Sequence, residues 1–154
     1  MLPSPPERPR SLALALAGSV LSLTAIVATA GPASAATTTS WNATGTQADV
    51  VGSWAHGTAT LTPSTESYAV TMTVTDSQPD HASGRAYFRW RYAWGEVSGA
   101  GVITASGYQN STSKTWQEPR GNLDSYQPFE VKECRVDNGI EVECGGWDVP
   151  YPFN

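Results

Sequence analysis

SYAVTMTVTD, residues 67–76, reads as a β-strand: Tyr68, Val70, Met72 and Val74 fall on one side of an extended chain, and Ala69, Thr71, Thr73 and Thr75 on the other. One side is a core face and the other a solvent face. RAYFRWRYAWGE, residues 85–96, repeats the pattern with larger groups. It places Ala86, Phe88, Trp90, Tyr92 and Trp94 inside and Arg85, Tyr87, Arg89 and Arg91 outside. Between the two, SQPDHASG at 77–84 is made of turn formers and reads as a loop.

On either side of this pair, residues 41–60 are punctuated by Gly and Ala and predict short strands, while 97–108 and 112–117 are weaker strand candidates and 118–128 is turn-rich. Residues 36–40 (ATTTS) read as a flexible lead-in. Near the C-terminus FEVKECRV (129–136) and IEVEC (140–144) flank Asp137-Asn138-Gly139. Asn-Gly accepts the positive φ angles of a tight turn, so the two runs form a hairpin. That hairpin brings Cys134 close to Cys144, Arg135 opposite Glu143 and Val136 opposite Val142. These are the only two cysteines, and closing so short a loop contributes about 2 to 3 kcal/mol on the chain-entropy account.

The first 35 residues are of another kind. Arg8 and Arg10 precede an uncharged, mostly apolar run, SLALALAGSVLSLTAIVATA at 11–30. Gly31 and Pro32 break it, and Ala33-Ser34-Ala35 is the small-residue pattern that signal peptidase accepts. Residues 1–35 are therefore expected to be a secretory signal peptide cleaved between Ala35 and Ala36, with 36–154 a single β-rich extracellular domain. A secreted location favours a Cys134–Cys144 disulfide. No membrane association is expected after cleavage.

From Ala36 onward only Leu61 and Leu123 remain of the leucines, against 10 Val, 15 Thr and 15 aromatic residues. That composition favours strands over helices. Several short strands separated by turns, six to eight of them, predict an all-β domain: a small antiparallel β-sandwich or barrel. The same segment carries 13 acidic and 7 basic residues, which disfavours nucleic acid and anionic membranes as partners.

No motif specifies a reaction. His56 and His81 are the only histidines, and no serine sits in a nucleophile elbow. Thirteen carboxylates satisfy almost any glycosidase spacing, so spacing selects none. Asp76, Asp80 and His81 share a loop but lack the alternation of a calcium loop and the paired histidines of a zinc site, and they read as turn formers. No catalytic residue, metal or cofactor is assigned, and the domain is expected to act without catalysis.

Binding is read from side chains that have no core role. Tyr87, Arg89 and Arg91 share the outer side of one strand, and planar phenol and guanidinium groups make strong contacts at low entropic cost. Their structural alternative is cross-strand pairing with Glu130, Glu141 or Glu143. The C-terminal GWDVPYPFN (146–154) alternates proline with aromatics, so it is neither helix nor central strand. It reads as an extended strap over an open end of the sandwich, and Trp147 and Tyr151 join the candidate binding residues.

The triplet Trp90-Arg91-Tyr92 is similar to the Trp-Arg-Tyr that the small, secreted, all-β α-amylase inhibitors of the tendamistat type present to their enzyme. The resemblance covers those three residues. Those inhibitors are shorter, carry two disulfides and hold the triplet at a turn, whereas alternation here puts Trp90 and Tyr92 on the inner side of a strand. The expected function is a secreted, non-enzymatic domain that binds an extracellular protein or carbohydrate. The alternatives are an inhibitor of an extracellular enzyme, or a small secreted hydrolase with a site no motif reveals.

Overall fold

The computed structural model describes residues 34–150; the apolar run at 11–30 and Tyr151 lie outside them. Eight strands follow in order: β1 Thr37–Asn42, β2 Ser53–Thr62, β3 Ser67–Asp76, β4 Ser83–Trp90, β5 Gly101–Ser106, β6 Ser111–Pro119, β7 Phe129–Asp137 and β8 Ile140–Cys144. They form two four-stranded antiparallel sheets with strand orders β1-β2-β3-β6 and β5-β4-β7-β8. The only helical pieces among the described residues are short 3₁₀ turns at Pro63–Thr65 and Arg120–Asn122.

Both sheets contribute to one core. Val70, Met72 and Val74 of β3 are fully buried, as alternation demands, and meet Ala86, Phe88 and Trp90 of β4 with Phe129 and Val131 of β7. Phe88 is central: it stacks on Trp116 at 4.6 Å and on Phe129 at 5.6 Å, and meets Trp90 edge-on at 4.8 Å. Such pairs add about 0.5 to 1.5 kcal/mol beyond the area they bury. Two glycines admit this packing. A Cβ on Gly57 would lie 1.9 Å from the Thr71 carbonyl oxygen, and one on Gly101 would lie 2.7 Å from the Trp116 ring.

Three expectations are corrected. The supposed lead-in at 36–40 enters a strand at Thr37, where it pairs with Leu61; threonines suit the edge of a sheet as well as a loop. The strand at 85–96 stops at Trp90. Beyond it Tyr92 donates its backbone N–H to the Glu96 carbonyl, and Gly95 at φ +89 turns the chain back, so Trp94 is 58% exposed rather than inside. Tyr92 packs against the core margin and stacks on Trp94 at 4.7 Å.

The third correction is one of register. Asn138 (φ 49) and Gly139 (φ 82) make a two-residue turn, so Asp137 faces Ile140 and Val136 faces Glu141, not Val142. The Cys134–Cys144 disulfide forms, with Cys134 facing Cys144 and Arg135 facing Glu143. Turn and disulfide together leave β8 one residue too long for its partner. The surplus is absorbed as a bulge opposite Arg135 and Val136, and Val142 stands 54% exposed.

One buried group has no counterpart in the pattern. Glu133 pairs with Ala86, on the inner side of β7, and is fully buried. Its carboxyl accepts backbone N–H bonds from Val50, at 2.8 Å, and from Ala55, and so pins the segment that links β1 to β2. Burial, with the Asp49 carboxylate beside it, outweighs those two bonds and pushes its pKa up to about 8.

Candidate functional site

The outer side of the second sheet gathers most of the residues singled out from sequence. Because Ala86, Phe88 and Trp90 point inward, Arg85, Tyr87 and Arg89 point outward, beside their β7 partners Cys134, Lys132 and Glu130. After β8 the chain continues along β7, and Asp148 pairs with Val131 through two backbone bonds of 2.9 and 3.0 Å. Val131 faces the core, so the residue before Asp148 faces the other way. Trp147 therefore lies on the outer side, against the arginines. Gly145 allows this course: a Cβ there would lie 2.5 Å from the Ala48 carbonyl oxygen. Up to Pro150 the C-terminal segment thus runs along the sheet edge, with Trp147 covering the outer side rather than an open end; the rest of the expected strap lies outside the described residues.

Tyr87, Arg89, Arg91 and Trp147 thus form one patch. The Arg89 guanidinium lies 4.0 Å from the Trp147 ring centre, and Tyr87 meets that ring edge-on at 6.3 Å. The Lys132 ammonium lies 4.5 Å from the Tyr87 ring centre and 5.7 Å from that of Trp147. These cation–π contacts fix the aromatic rings in place without consuming their edges.

The charges are paired. Glu130, largely buried, is held by Arg89 at 2.6 Å on one oxygen and by Arg91 at 2.5 Å on the other. Arg85 reaches Glu141 at 3.1 Å and also donates to the Thr104 hydroxyl. Tyr87 donates its phenol proton to the same Glu141 carboxylate, which, with Arg85, holds that carboxyl below the usual range. Cross-strand pairing of arginine with glutamate is therefore realised at Glu130 and Glu141, and Glu143 instead faces Arg135 across the hairpin.

Beside Trp147 the patch opens into a groove of about 300 Å³. Trp147 and Val149 give it apolar surface, and Arg91, Gln127, Glu130 and Asp148 line it with polar groups. Asp148 is positioned by its neighbours: one oxygen accepts the Gln47 N–H and the other the Val149 N–H, at 2.9 and 2.8 Å. Alternation along β7 marks Glu130 and Lys132 as outward-facing, so they were discoverable from sequence. Gln127 and Asp148 reach the groove through loop and strap geometry, for which no local pattern exists.

The other candidates lie elsewhere. His56 sits within β2 and stacks on Trp54 at 3.9 Å, and His81 is exposed in its loop. Asp80 accepts the Ala82 N–H and pairs with Arg135 at 2.7 Å, while Asp76 is buried and accepts the Gln78 N–H, as turn-forming residues do. Trp90 is buried, so Trp90-Arg91-Tyr92 does not form a common exposed strip. Comparison of the chain with protein-family models, with curated proteins and with solved structures finds no match.

Proposed function

We propose that the protein is a secreted, non-enzymatic binding domain that recognises an extracellular carbohydrate in the groove beside Trp147. In this reading residues 1–35 direct export, and Ala35 and Ala36, both exposed ahead of β1, are the cleavage junction. The two sheets then act as a rigid β-sandwich that presents one outer face.

The observation that carries the reading is an indole, with Val149 beside it, in a groove otherwise lined by planar polar groups: a guanidinium, an amide and two carboxylates. A pyranose ring has an apolar C–H face, which packs on an aromatic ring, and a girdle of hydroxyls, each both donor and acceptor. Arg91 and Gln127 can donate to such hydroxyls, and Glu130 and Asp148 can accept from them on lone pairs left free. A volume of about 300 Å³ lies at the lower end for ligand sites and suits one or two sugar rings.

A second reading, recognition of a protein, draws on Trp94 and Tyr126, which stand 58% and 75% exposed on adjoining segments. Large exposed aromatics are the usual anchors of protein interfaces. The deciding experiment is a glycan array on the secreted protein, followed by calorimetric titration of the best ligand into wild type and Trp147→Ala. Saturable binding that weakens about tenfold or more in the variant, a loss of about 1.4 kcal/mol or more, is the expected result. Absence of any glycan ligand, or equal affinity in both proteins, refutes the carbohydrate reading.

A further inference from the structure

A second cavity lies at the other margin of the core. Thr37 and Thr39 of β1 face Leu61 and Ala59 of β2, on the same inner side as the buried Trp41, and Tyr68 of β3 lies next to them. The segment from Arg120 to Pro128 passes over this part of the sheet and leaves a cavity of about 400 Å³ beneath it. Ala59 and Leu61 give it an apolar floor and Leu123 an apolar patch on the cover, and Leu61 and Tyr68, both inward-facing, remain partly exposed. Inward-facing apolar surface that water still reaches is surface a ligand can bury.

The cover is held in place by the backbone. The Arg120 N–H donates to the Glu66 carbonyl at 2.7 Å, the Leu123 N–H to the Arg120 carbonyl at 3.0 Å, and the Asp124 N–H to the Arg91 carbonyl at 3.0 Å. The cavity is therefore preformed rather than a gap under a loose loop.

The decisive feature is Arg120, which lines the cavity. Seven lysines and arginines occur in residues 34–150. Arg85, Arg89, Arg91 and Arg135 pair with carboxylates, and Lys114 and Lys132 lie over aromatic rings. Among the described residues Arg120 alone has neither kind of partner. Asp124 also lines the cavity, but one of its oxygens accepts the N–H groups of Tyr126 and Gln127 at 2.8 and 2.9 Å, so its charge serves the turn.

We propose that this cavity binds a small organic acid, whose carboxylate pairs with the Arg120 guanidinium while its apolar body covers Leu61, Ala59 and Leu123. The hydroxyls of Thr37 and Thr39 line the same space and can donate to the second carboxylate oxygen. The site is separate from the groove beside Trp147 and does not depend on what that groove binds.

Octanoate serves as the probe, with 1-octanol as its neutral counterpart and octylammonium as its charge-reversed one, each titrated to about 10 mM, which reaches millimolar affinities. Binding is followed by amide chemical shifts of the secreted protein. Saturable shifts at Thr37, Thr39, Leu61 and Leu123 are expected for octanoate, with weaker binding of the other two. Arg120→Gln should reduce octanoate affinity about tenfold or more, because hydrogen bonds to charged groups are among the stronger ones. It should leave thermal stability and any binding in the groove beside Trp147 unchanged. The proposal is overturned by an absence of saturable shifts at those residues, by equal octanoate affinity in Arg120→Gln, or by octylammonium binding as tightly as octanoate, which would assign the cavity to Asp124.

Discussion

Replacing Glu133 with glutamine should abolish a dependence of stability on pH that the wild-type fold carries in the neutral range. Glu133 is fully buried, and its pKa rises from an ordinary 4.5 to about 8 on folding. The native state then holds a proton that the unfolded chain releases above 4.5. Stability is greatest below 4.5 and falls as the pH climbs to about 8, because there the native state binds more protons than the unfolded one. At about 1.4 kcal/mol per pKa unit, the shift corresponds to several kcal/mol across that window. The other displaced groups act outside it. Asp124 and Glu141 are held low, and Tyr68 and Tyr87 are raised above an ordinary value of 10.

The variant has its own cost. Both carboxyl oxygens accept backbone N–H groups, and a glutamine amide offers only one acceptor oxygen. One buried N–H is left facing an NH₂ group, which costs about 1 to 3 kcal/mol. Thermal or urea unfolding of both proteins between about pH 5 and about pH 9 should therefore give a wild-type stability that falls with pH and a variant stability that is lower at pH 5 but nearly level. A wild type that is level across this range refutes the reasoning, as does a variant that keeps the wild-type slope.

Two further outcomes follow from packing and covalent structure. Trp90→Ala removes a buried ring that Phe88 and Tyr68 both meet edge-on. It should cost about 3 to 5 kcal/mol in urea unfolding, and a loss below about 1 kcal/mol, the size of an ordinary surface change, would place that ring outside the core. Reducing the Cys134–Cys144 disulfide frees a loop of sequence separation 10 and should lower stability by about 2 to 3 kcal/mol; calorimetric scans with and without reductant that superimpose would show that the bridge does not constrain the unfolded chain.

Most of the fold was legible because alternation is a direct physical signal. In β3 and β4 every second residue must face the core, so Val70, Met72, Val74, Phe88 and Trp90 could be placed inside from their spacing alone. Alternation fails where something other than burial fixes the chain. Trp94 has the inner parity of its strand but follows Tyr92, at which the backbone turns back through Gly95. Val142 has the parity of a paired residue, yet a two-residue turn and a disulfide fix the strand at both ends and expel one residue between them. Glu133 is the converse case: alternation puts it on the inner side with Phe129 and Val131, where an acid is unexpected, and there it serves as acceptor for the Val50 and Ala55 N–H groups.

The site was legible in part for the same reason. Tyr87, Arg89 and Arg91 follow from strand parity, and Trp147 stands out in the sequence only because aromatics between glycine and proline have no place in a strand or helix. What joins them is the pairing of Asp148 with Val131, a single register contact in a segment with no repeating pattern. A shift of that register by one residue would turn Trp147 toward the core side and remove the indole from the groove. The two glycines before Trp147 bear on this register. Gly145 lets the Ala48 carbonyl approach closer than any Cβ would permit, and the Gly146 N–H donates to Gln47 while the Gln47 N–H donates to Asp148. The segment that Glu133 pins through Val50 therefore also sets where the strap lies. The groove wall is thus positioned from the core outward, by contacts between residues about a hundred positions apart in sequence, which no local reading of the chain brings together.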